Sequence, residues 1–420
     1  MMNDVFGNVP AALVLLRARM GERKRLRSHA GLTYAIADSI SLLDAGAWRA
    51  ITSDASFFLS YDYLRAMETV LPVNISARYA LIYQDSGAGR TPVAAVYMQI
   101  ADVNLAQARP ATAQPGKLDT LARAARQRIL VCGNLLTFGQ HGVALAAGAD
   151  TQLAWHGVAE VLYRVRQGEK LARGTEFVMI KDLHAPYTAQ AAQLENLSYR
   201  YVETEPNMVL TLNPAWKSHD DYLASLASKY RSKVRTTIVK AITDGGCSVE
   251  RLSDVAGAAG QLHALYKAVQ VNAGFRPFEL VPEYFAALQQ VAGARFRCSV
   301  IKCDGAYLGF LISLADGDTA VAYHIGFDRA ASADLPLYLR LLHAGIADAI
   351  DMGCKQISYG RTALEPKAAL GAKPQPFGVL VRHRQPVLNK LIKHLLLGVE
   401  HDDAPERSPF KRDQAGGNAV

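Results

Sequence analysis

The order strand, turn, helix, strand occurs twice in this chain, once from Arg128 to His184 and again from Thr319 to Gly360. In each copy an apolar run leads into small polar residues, then an apolar stripe at helical spacing, then a second apolar run. Two strands joined through a helix run parallel, and the helix must pack back onto their sheet. The order therefore dictates α/β units. The copies share pattern and not letters, and 420 residues exceed one ordinary core. We expect two tandem α/β domains, each a mixed, mostly antiparallel sheet flanked by helices, in preference to one large sheet. The expected parts are a basic segment over 1–30, a first domain over 31–206, a second over 207–398 and a disordered tail over 399–420.

Residues 32 to 100 alternate short strands ("LTYAIADSI", "ARYALIYQ", "TPVAAVYMQI") with one helix over "ASFFLSYDYLRAMETVL". The polar, alanine-rich stretch 103–127 reads as an insertion or surface loop. "DYLASLASKYRSKVRTTIVKAITDGG" reads as a single helix, with Tyr222, Leu226, Tyr230, Val234, Ile238 and Ile242 recurring at every fourth position. "FRCSVIKCDGAYLGFLISLADGDTAVAYHIGFD" reads as three antiparallel strands joined by tight turns. "LPLYLRLLHAGIADAIDMG" follows as a helix, "KQISYG" as a strand and "FGVLVRH" as the last strand.

Half of the residues are hydrophobic and a fifth are charged, the balance of a soluble globular protein. The apolar run "VPAALVLL" is too short to span a membrane, and its basic residues follow it rather than precede it as in a signal peptide. A cytoplasmic protein is expected, with a peripheral membrane contact through the first thirty residues as the alternative. The net charge of +8 favours an anionic ligand. The five cysteines (Cys132, Cys247, Cys298, Cys303 and Cys354) include no CxxC and are expected as buried free thiols. Cys298 and Cys303, on one strand, should face opposite sides.

No GxGxxG follows a strand, and there is no GxxxxGK[ST], GxSxG or HExxH; the eleven histidines are scattered. Dinucleotide, nucleoside-triphosphate and metal chemistry lack their motifs. No metal and no permanently bound cofactor are expected, and an enzyme here has to work by positioning and proton transfer. Between the strand "TAVAYHIGFD" and the helix "LPLYLRLLHAG", the small polar "RAASADLP" sits at a helix start. Unpaired N–H groups there suit a pyrophosphate or phosphopantetheine. This makes Ala331, Ser332, Ala333, Leu335 and Leu337 candidate cofactor contacts, with Pro336 at the first helical position. Period-two alternation puts Tyr323 and His324 on opposite faces of the strand. Either is a candidate general base, the alternative being a core tyrosine and a hydrogen-bonded structural histidine.

"DYLASLASKYRSKVRTTIVKA" resembles a helix of Fem-like tandem acyltransferases of the GNAT superfamily, which includes CelD-like proteins. "ISYGRTALEPKAALGAK" is similar to their strand ending in Gly-Arg with a following Lys, and "AWRAITSDASFFLSYDYLRAME" to their N-terminal Trp…Phe-Leu-Ser…Leu segment. The resemblance implies two GNAT-type domains with the acceptor in a cleft between them. It implies an N-acyltransferase moving an acyl group from acyl-CoA or an acyl carrier protein to a small-molecule amine. Tyr359, Arg361 and Lys367 would line the cleft, Arg361 gripping an anionic group, and Glu365 would neutralise Lys367 or act as base alongside Tyr323 and His324. Alternatively, Arg361 and Glu365 form a structural pair. Asn134, Gln140, His141, Lys181 and Asp182 would contribute from the first domain. The superfamily's glycine-bearing phosphate loop is missing, since "RAASAD" has no glycine.

Two other functions fit the same fold. Lys229, Arg231, Lys233 and Arg235 form either a solvated face or an RNA-binding one, the latter suiting an aminoacyl-tRNA-dependent transferase. A degenerate pair binding a carrier protein or lipid needs no catalytic group. "PVLNKLIKHLLLG" sets Val387, Leu388, Leu391, Ile392, Leu395 and Leu396 on one helix face, expected to pack on its own domain in preference to a membrane or partner.

Overall fold

The computed structural model describes residues 11–87, 89–104, 126–271, 277–397, 405 and 407–411. Its strands are β1 (Leu32–Ala37), β2 (Ile75–Ser86), β3 (Gly89–Asn104), β4 (Arg126–Cys132), β5 (Val143–Leu145), β6 (Phe177–Leu183) and β7 (Arg200–Thr211). They continue with β8 (Cys247–Arg251), β9 (Phe296–Cys303), β10 (Ala306–Asp316), β11 (Thr319–Phe327), β12 (Gln356–Ser358) and β13 (Lys373–His383). All thirteen join one sheet in the order β1-β2-β3-β4-β6-β13-β7-β12-β11-β10-β9-β8, with β5 on β3.

The two α/β halves are present, but their sheets are continuous, which corrects the expectation of separate ones. The joint is made by β13, which pairs antiparallel with β6 of the first half and with β7. The expected boundary at 206/207 falls inside β7. A sequence reading misses this because β13 is last in the chain and lies at the centre of the sheet.

In each half one helix packs along the sheet. The first, Thr151–Gly168, begins at Asp150, whose carboxylate accepts from the N–H groups of Gln152 and Leu153. Ala154, Trp155, Val158, Val161, Leu162 and Val165 form its buried stripe, at the i, i+3, i+4 spacing of a core-facing helix. The second, Leu337–Asp351, buries Leu337, Leu341, Leu342, Ile346 and Ala349 in the same way. On the opposite face one apolar cluster runs across both halves, from Phe58, Tyr63 and Tyr97 to Tyr284, Phe310 and Tyr323. Burying an aromatic side chain of this size stabilises the fold by about 1.5–3 kcal/mol, so this cluster fixes the halves against each other.

Three local expectations are corrected. The helix read from Asp221 onward is broken: His219–Ser225 ends at the extended Leu226, Ser228–Val234 follows, and Arg235–Lys240 is π-helical. Its apolar stripe is nonetheless buried at Tyr222, Leu226, Val234, Ile238 and Ile242. The break arises because Leu226 bridges to Phe410. Phe410 packs on Trp216 and Tyr222 at ring distances of 5.8 and 6.3 Å, so residues 407–411 of the expected tail are packed against the second half. Cys247 and Cys303 are opposed in the β8–β9 register and form a disulfide with a Cα separation of 4.4 Å, whereas Cys132, Cys298 and Cys354 are free and buried. Within β9, Cys298 and Cys303 do lie in different core clusters. Of the insertion expected over 103–127, residues 103–104 end β3 and 126–127 begin β4; 105–125 lie outside the described residues.

Candidate active site

β11 and β12 run parallel and pair over three positions only, Thr319↔Gln356, Ala320↔Ile357 and Val321↔Ser358. β12 is also paired antiparallel with β7, and beyond Ser358 the chain stays on β7, where the Tyr359 N–H donates to the Met208 carbonyl and the Met208 N–H to the Gly360 carbonyl. On its other side β11 is bulged, since Ile312 pairs with His324 and Ser313 with Ala322, leaving Tyr323 as the extra residue. A bulge turns the strand and frees local main-chain groups. The two parallel strands therefore open into a wedge whose one edge is β11 from Tyr323 to Phe327. Gly326 allows the covering helix Ala259–Gln270 to approach, because a Cβ there would lie 2.6 Å from the Tyr266 nitrogen.

The bulge corrects the placement of Tyr323 and His324. Their rings are 4.1 Å apart, side by side. Tyr323 is buried with its Oη 2.5 Å from Tyr284 Oη and 3.4 Å from Tyr63 Oη, which also accepts from Asn134 Nδ2 at 3.2 Å. Burial pushes the Tyr323 phenol well above its ordinary range, so it can donate a proton but does not serve as a base at neutral pH. His324 sits among Tyr266, Tyr284 and Phe285, with Nε2 unpartnered. Burial drops its pKa to about 3, far from the value that suits a base near neutrality.

Glu365 does not face Lys367 or Arg361. It is exposed and pairs with Arg407 at 2.8 Å. Lys367 points inward from the short helix Leu364–Ala369, with Nζ 3.2 Å from the Gly360 carbonyl, and burial lowers its pKa to about 7. Tyr359 is a core residue, its hydroxyl donating to the Leu342 carbonyl at 3.0 Å, and not a cleft wall.

The expected phosphate cradle is closed on itself. Asp328 accepts from the Ala331 N–H through its carboxylate and from the Ser332 N–H through its carbonyl, and the Ala333 N–H is bonded to Ala330. Ala331–Ala333 is a single 3-10 turn, and the long helix starts at Leu337 with Pro336 preceding it. Leu337 is buried in the core, and Leu335 fills the space beside Gly245.

Arg361 of the second half and Lys181 of the first, each expected in the cleft, instead meet at Asp182. Arg361 Nη1 lies 3.0 Å from Asp182 Oδ1. The fully buried Asp182 also pairs with Lys181 and accepts from the Gly139 N–H at 2.9 Å, while Lys181 Nζ donates to the Thr137 carbonyl at 2.7 Å. Burial alone would raise the Asp182 pKa, but Lys181 and Arg361 outweigh it and hold the carboxyl below its ordinary value. Gly360 sits at φ +76°, a conformation that side chains rarely adopt, and a Cβ there would press on the Phe138 ring at 3.1 Å. Phe138, Gln140 and His141 then line a cleft of about 320 Å³ with Asn207, Thr319 and Ser358. His141 bonds through Nε2 to the Phe138 carbonyl at 3.0 Å, leaves Nδ1 unpartnered, and is held low by burial.

Asn207 escaped the sequence reading. Its Oδ1 accepts from the Ser358 hydroxyl at 2.9 Å and the Gly360 N–H at 3.0 Å, pinning the segment where it leaves β11. The only signal was an asparagine inside a strand, a residue type depleted there. Among the described residues no three His, Cys, Asp or Glu side chains converge to hold a metal.

Residues 228–368, which contain the bulge, the wedge and Lys367, match the family model described as an acetyltransferase (GNAT) domain. No curated protein matches the chain by sequence. Among solved structures, FemX superposes with a TM-score of 0.50 at 13% identity, covering 84% of this chain and 98% of FemX. A tandem GNAT protein from the clavulanic acid biosynthesis pathway gives 0.47 at 12% identity, covering 84% and 99%. The second half thus carries a match to the acetyltransferase (GNAT) domain over residues 228–368, and the fold across both halves is similar to that of FemX.

Proposed function

We propose that the protein is an N-acyltransferase that binds an acyl thioester, on CoA or an acyl carrier protein, in the wedge between β11 and β12 and transfers the acyl group to an amine. The observation that carries this reading is the divergence of the two strands past Val321 and Ser358, with Tyr323 bulged at the opening. A thioester lying along β11 meets free main-chain groups there, and a main-chain N–H aimed at its carbonyl would stabilise the developing oxyanion. The amine nitrogen forms the new C–N bond, the C–S bond breaks, and the amine loses a proton to a base while the thiolate gains one. Lys367 suits the base, because with a pKa of about 7 it is substantially neutral at physiological pH. Tyr323, kept protonated by burial, suits the donor to the leaving sulfur. The acceptor enters from the cleft lined by both halves, where Gln140 and His141 face the second half.

A thermal-shift panel of CoA, acetyl-CoA, a long-chain acyl-CoA, acyl carrier protein and aminoacyl-tRNA tests the donor, since a ligand of the native state raises Tm with concentration. A rise with any CoA or carrier thioester supports the reading. No rise with any of them removes it. A rise with aminoacyl-tRNA alone favours the second reading, aminoacyl transfer. That reading is supported by Lys229, Lys233 and Arg235, which are exposed with no acidic partner among the described residues.

A further inference from the structure

The first half holds a cavity of about 420 Å³ remote from the wedge, between the helix Ala11–Arg27, the helix Thr151–Gly168 and the ends of β6 and β13. Arg27, Arg166 and Arg382 line it, and none has a carboxylate partner among the described residues. The one acid on its wall, Glu160, is already engaged by the Ala30 N–H, Tyr34, Arg164 and His29. Arg382 is half-buried over the ring of Tyr199. Burial lowers its pKa, and the charges of Arg166 and Arg23 lower it further. Converging guanidinium groups with no counter-charge repel one another, and an anion with several acceptor oxygens relieves that repulsion by bidentate bonding.

The helix that forms one wall carries a second signal. Its last turns are basic, with Arg23, Lys24, Arg25 and Arg27, and are fixed to the protein by the buried Leu26 and by Arg25, which pairs with Glu22 and donates to Gln193 at 3.0 Å. Towards its N-terminus Val14, Leu15, Leu16 and Met20 are each more than half exposed. Exposed apolar residues next to a basic collar match a bilayer interface, in which aliphatic side chains enter the acyl boundary and cations meet anionic headgroups. No described helix is long and apolar enough to cross a membrane, so this is contact with a surface and not a span.

We propose that this face docks on an anionic phospholipid surface, with a lipid phosphate seated among Arg27, Arg166 and Arg382 and the Val14–Met20 end of the helix inserted beside it. The proposal stands independently of the acyl donor. Its test is co-sedimentation of the full chain with vesicles of phosphatidylcholine alone and with a third of the lipid replaced by phosphatidylglycerol, at physiological salt. Binding is expected only to the anionic vesicles. Arg23→Gln and Arg27→Gln, both on the exposed helix surface, should each weaken it about fivefold. Leu15→Ser with Leu16→Ser should weaken it about tenfold or more. Arg166→Gln checks the cavity itself, with an unchanged Tm showing that the fold is intact. Glycerol phosphate, the soluble arm, should raise Tm in the parent and not in Arg166→Gln. Equal binding to both vesicle types, or parent-like binding by the arginine variants, overturns the proposal. So does stabilisation by glycerol phosphate without vesicle binding, which would assign the cavity to a soluble phosphate ester. Self-association blocked by Leu15→Ser with Leu16→Ser, in the absence of vesicle binding, would assign the face to a second copy.

Discussion

The two halves repeat one arrangement and differ at the point where chemistry can occur. In the first half β4 and β6 pair in parallel over four positions, and β3 meets β4 with no break in register. The space beyond that pairing is filled by the loop after Cys132. A Cβ on Gly142 would lie 2.7 Å from the Gly133 nitrogen, so the loop presses directly on the strand end. Lys181 and Asp182 tie the same loop down through the Thr137 carbonyl and the Gly139 N–H. In the second half the equivalent strands pair over three positions, a bulge follows in β11, and the chain from Tyr359 stays paired with β7 alone. A loop closes over the end of the first pair, whereas past the second pair β11 keeps β10 as its strand partner. The difference teaches that two halves of one repeated fold can end the same parallel strand pair in different ways, and the proposed donor site rests on that difference.

The comparison can be broken most strongly at Asp182, whose loss leaves Lys181 buried without a counter-charge. Asp182→Ala should cost about 3–5 kcal/mol in denaturant unfolding, and pairing it with Lys181→Met should recover part of that. The same carboxyl sets an acid limit. Its pKa is depressed in the folded state, so its stabilisation is fully present above the ordinary carboxylate pKa of 3.8 and is lost as pH falls through the lower folded value. Stability that does not change below pH 4 in the parent relative to Asp182→Asn would contradict this.

Next in size is Lys367. With a pKa lowered to about 7, kcat/KM for acyl transfer should climb with pH and level off above that value. Lys367→Met should abolish this limb and slow transfer by about 10²–10⁴-fold; a variant that keeps the parent profile removes lysine from the base role. Asn207→Ala should cost about 1–3 kcal/mol by stranding the Ser358 hydroxyl and the Gly360 N–H. Its KM for the acyl donor should rise more than its kcat falls. Smallest is Glu365→Gln, which removes an exposed pair with Arg407 and should change stability by about 1 kcal/mol or less and leave transfer unchanged.

How much of this was legible in the sequence follows from the range of the interactions involved. The helices Thr151–Gly168 and Leu337–Asp351 and the three strands β9–β11 are local patterns, and their periodicity marks them. The pairing of β13 between β6 and β7 joins residues nearly two hundred positions apart, and nothing local announces it. At the site, the sequence assigned Arg361, Lys181, Gln140 and His141 to one cleft; Gln140 and His141 line a cleft with Asn207 and Ser358, whereas Arg361 and Lys181 meet beside it at the buried Asp182. It put Tyr323 and His324 on opposite faces because alternation holds only in a regular strand, and a single extra residue shifts it. Glu365 looked like a partner for Lys367 two positions away, but a short helix turns one inward and the other out to Arg407. Asn207 acts through Ser358, Gly360 and Gln375, which lie 151, 153 and 168 residues on.

The central claim is that the acyl donor lies against β11 of the second half and not against the matching strand pair of the first. Hydrogen–deuterium exchange with and without whichever donor stabilises the protein tests it directly. The account predicts slowed exchange at the amides of residues 322–327, with residues 129–133 unchanged. Protection centred on β4 and β6, or none along β11 under saturating donor, would contradict it.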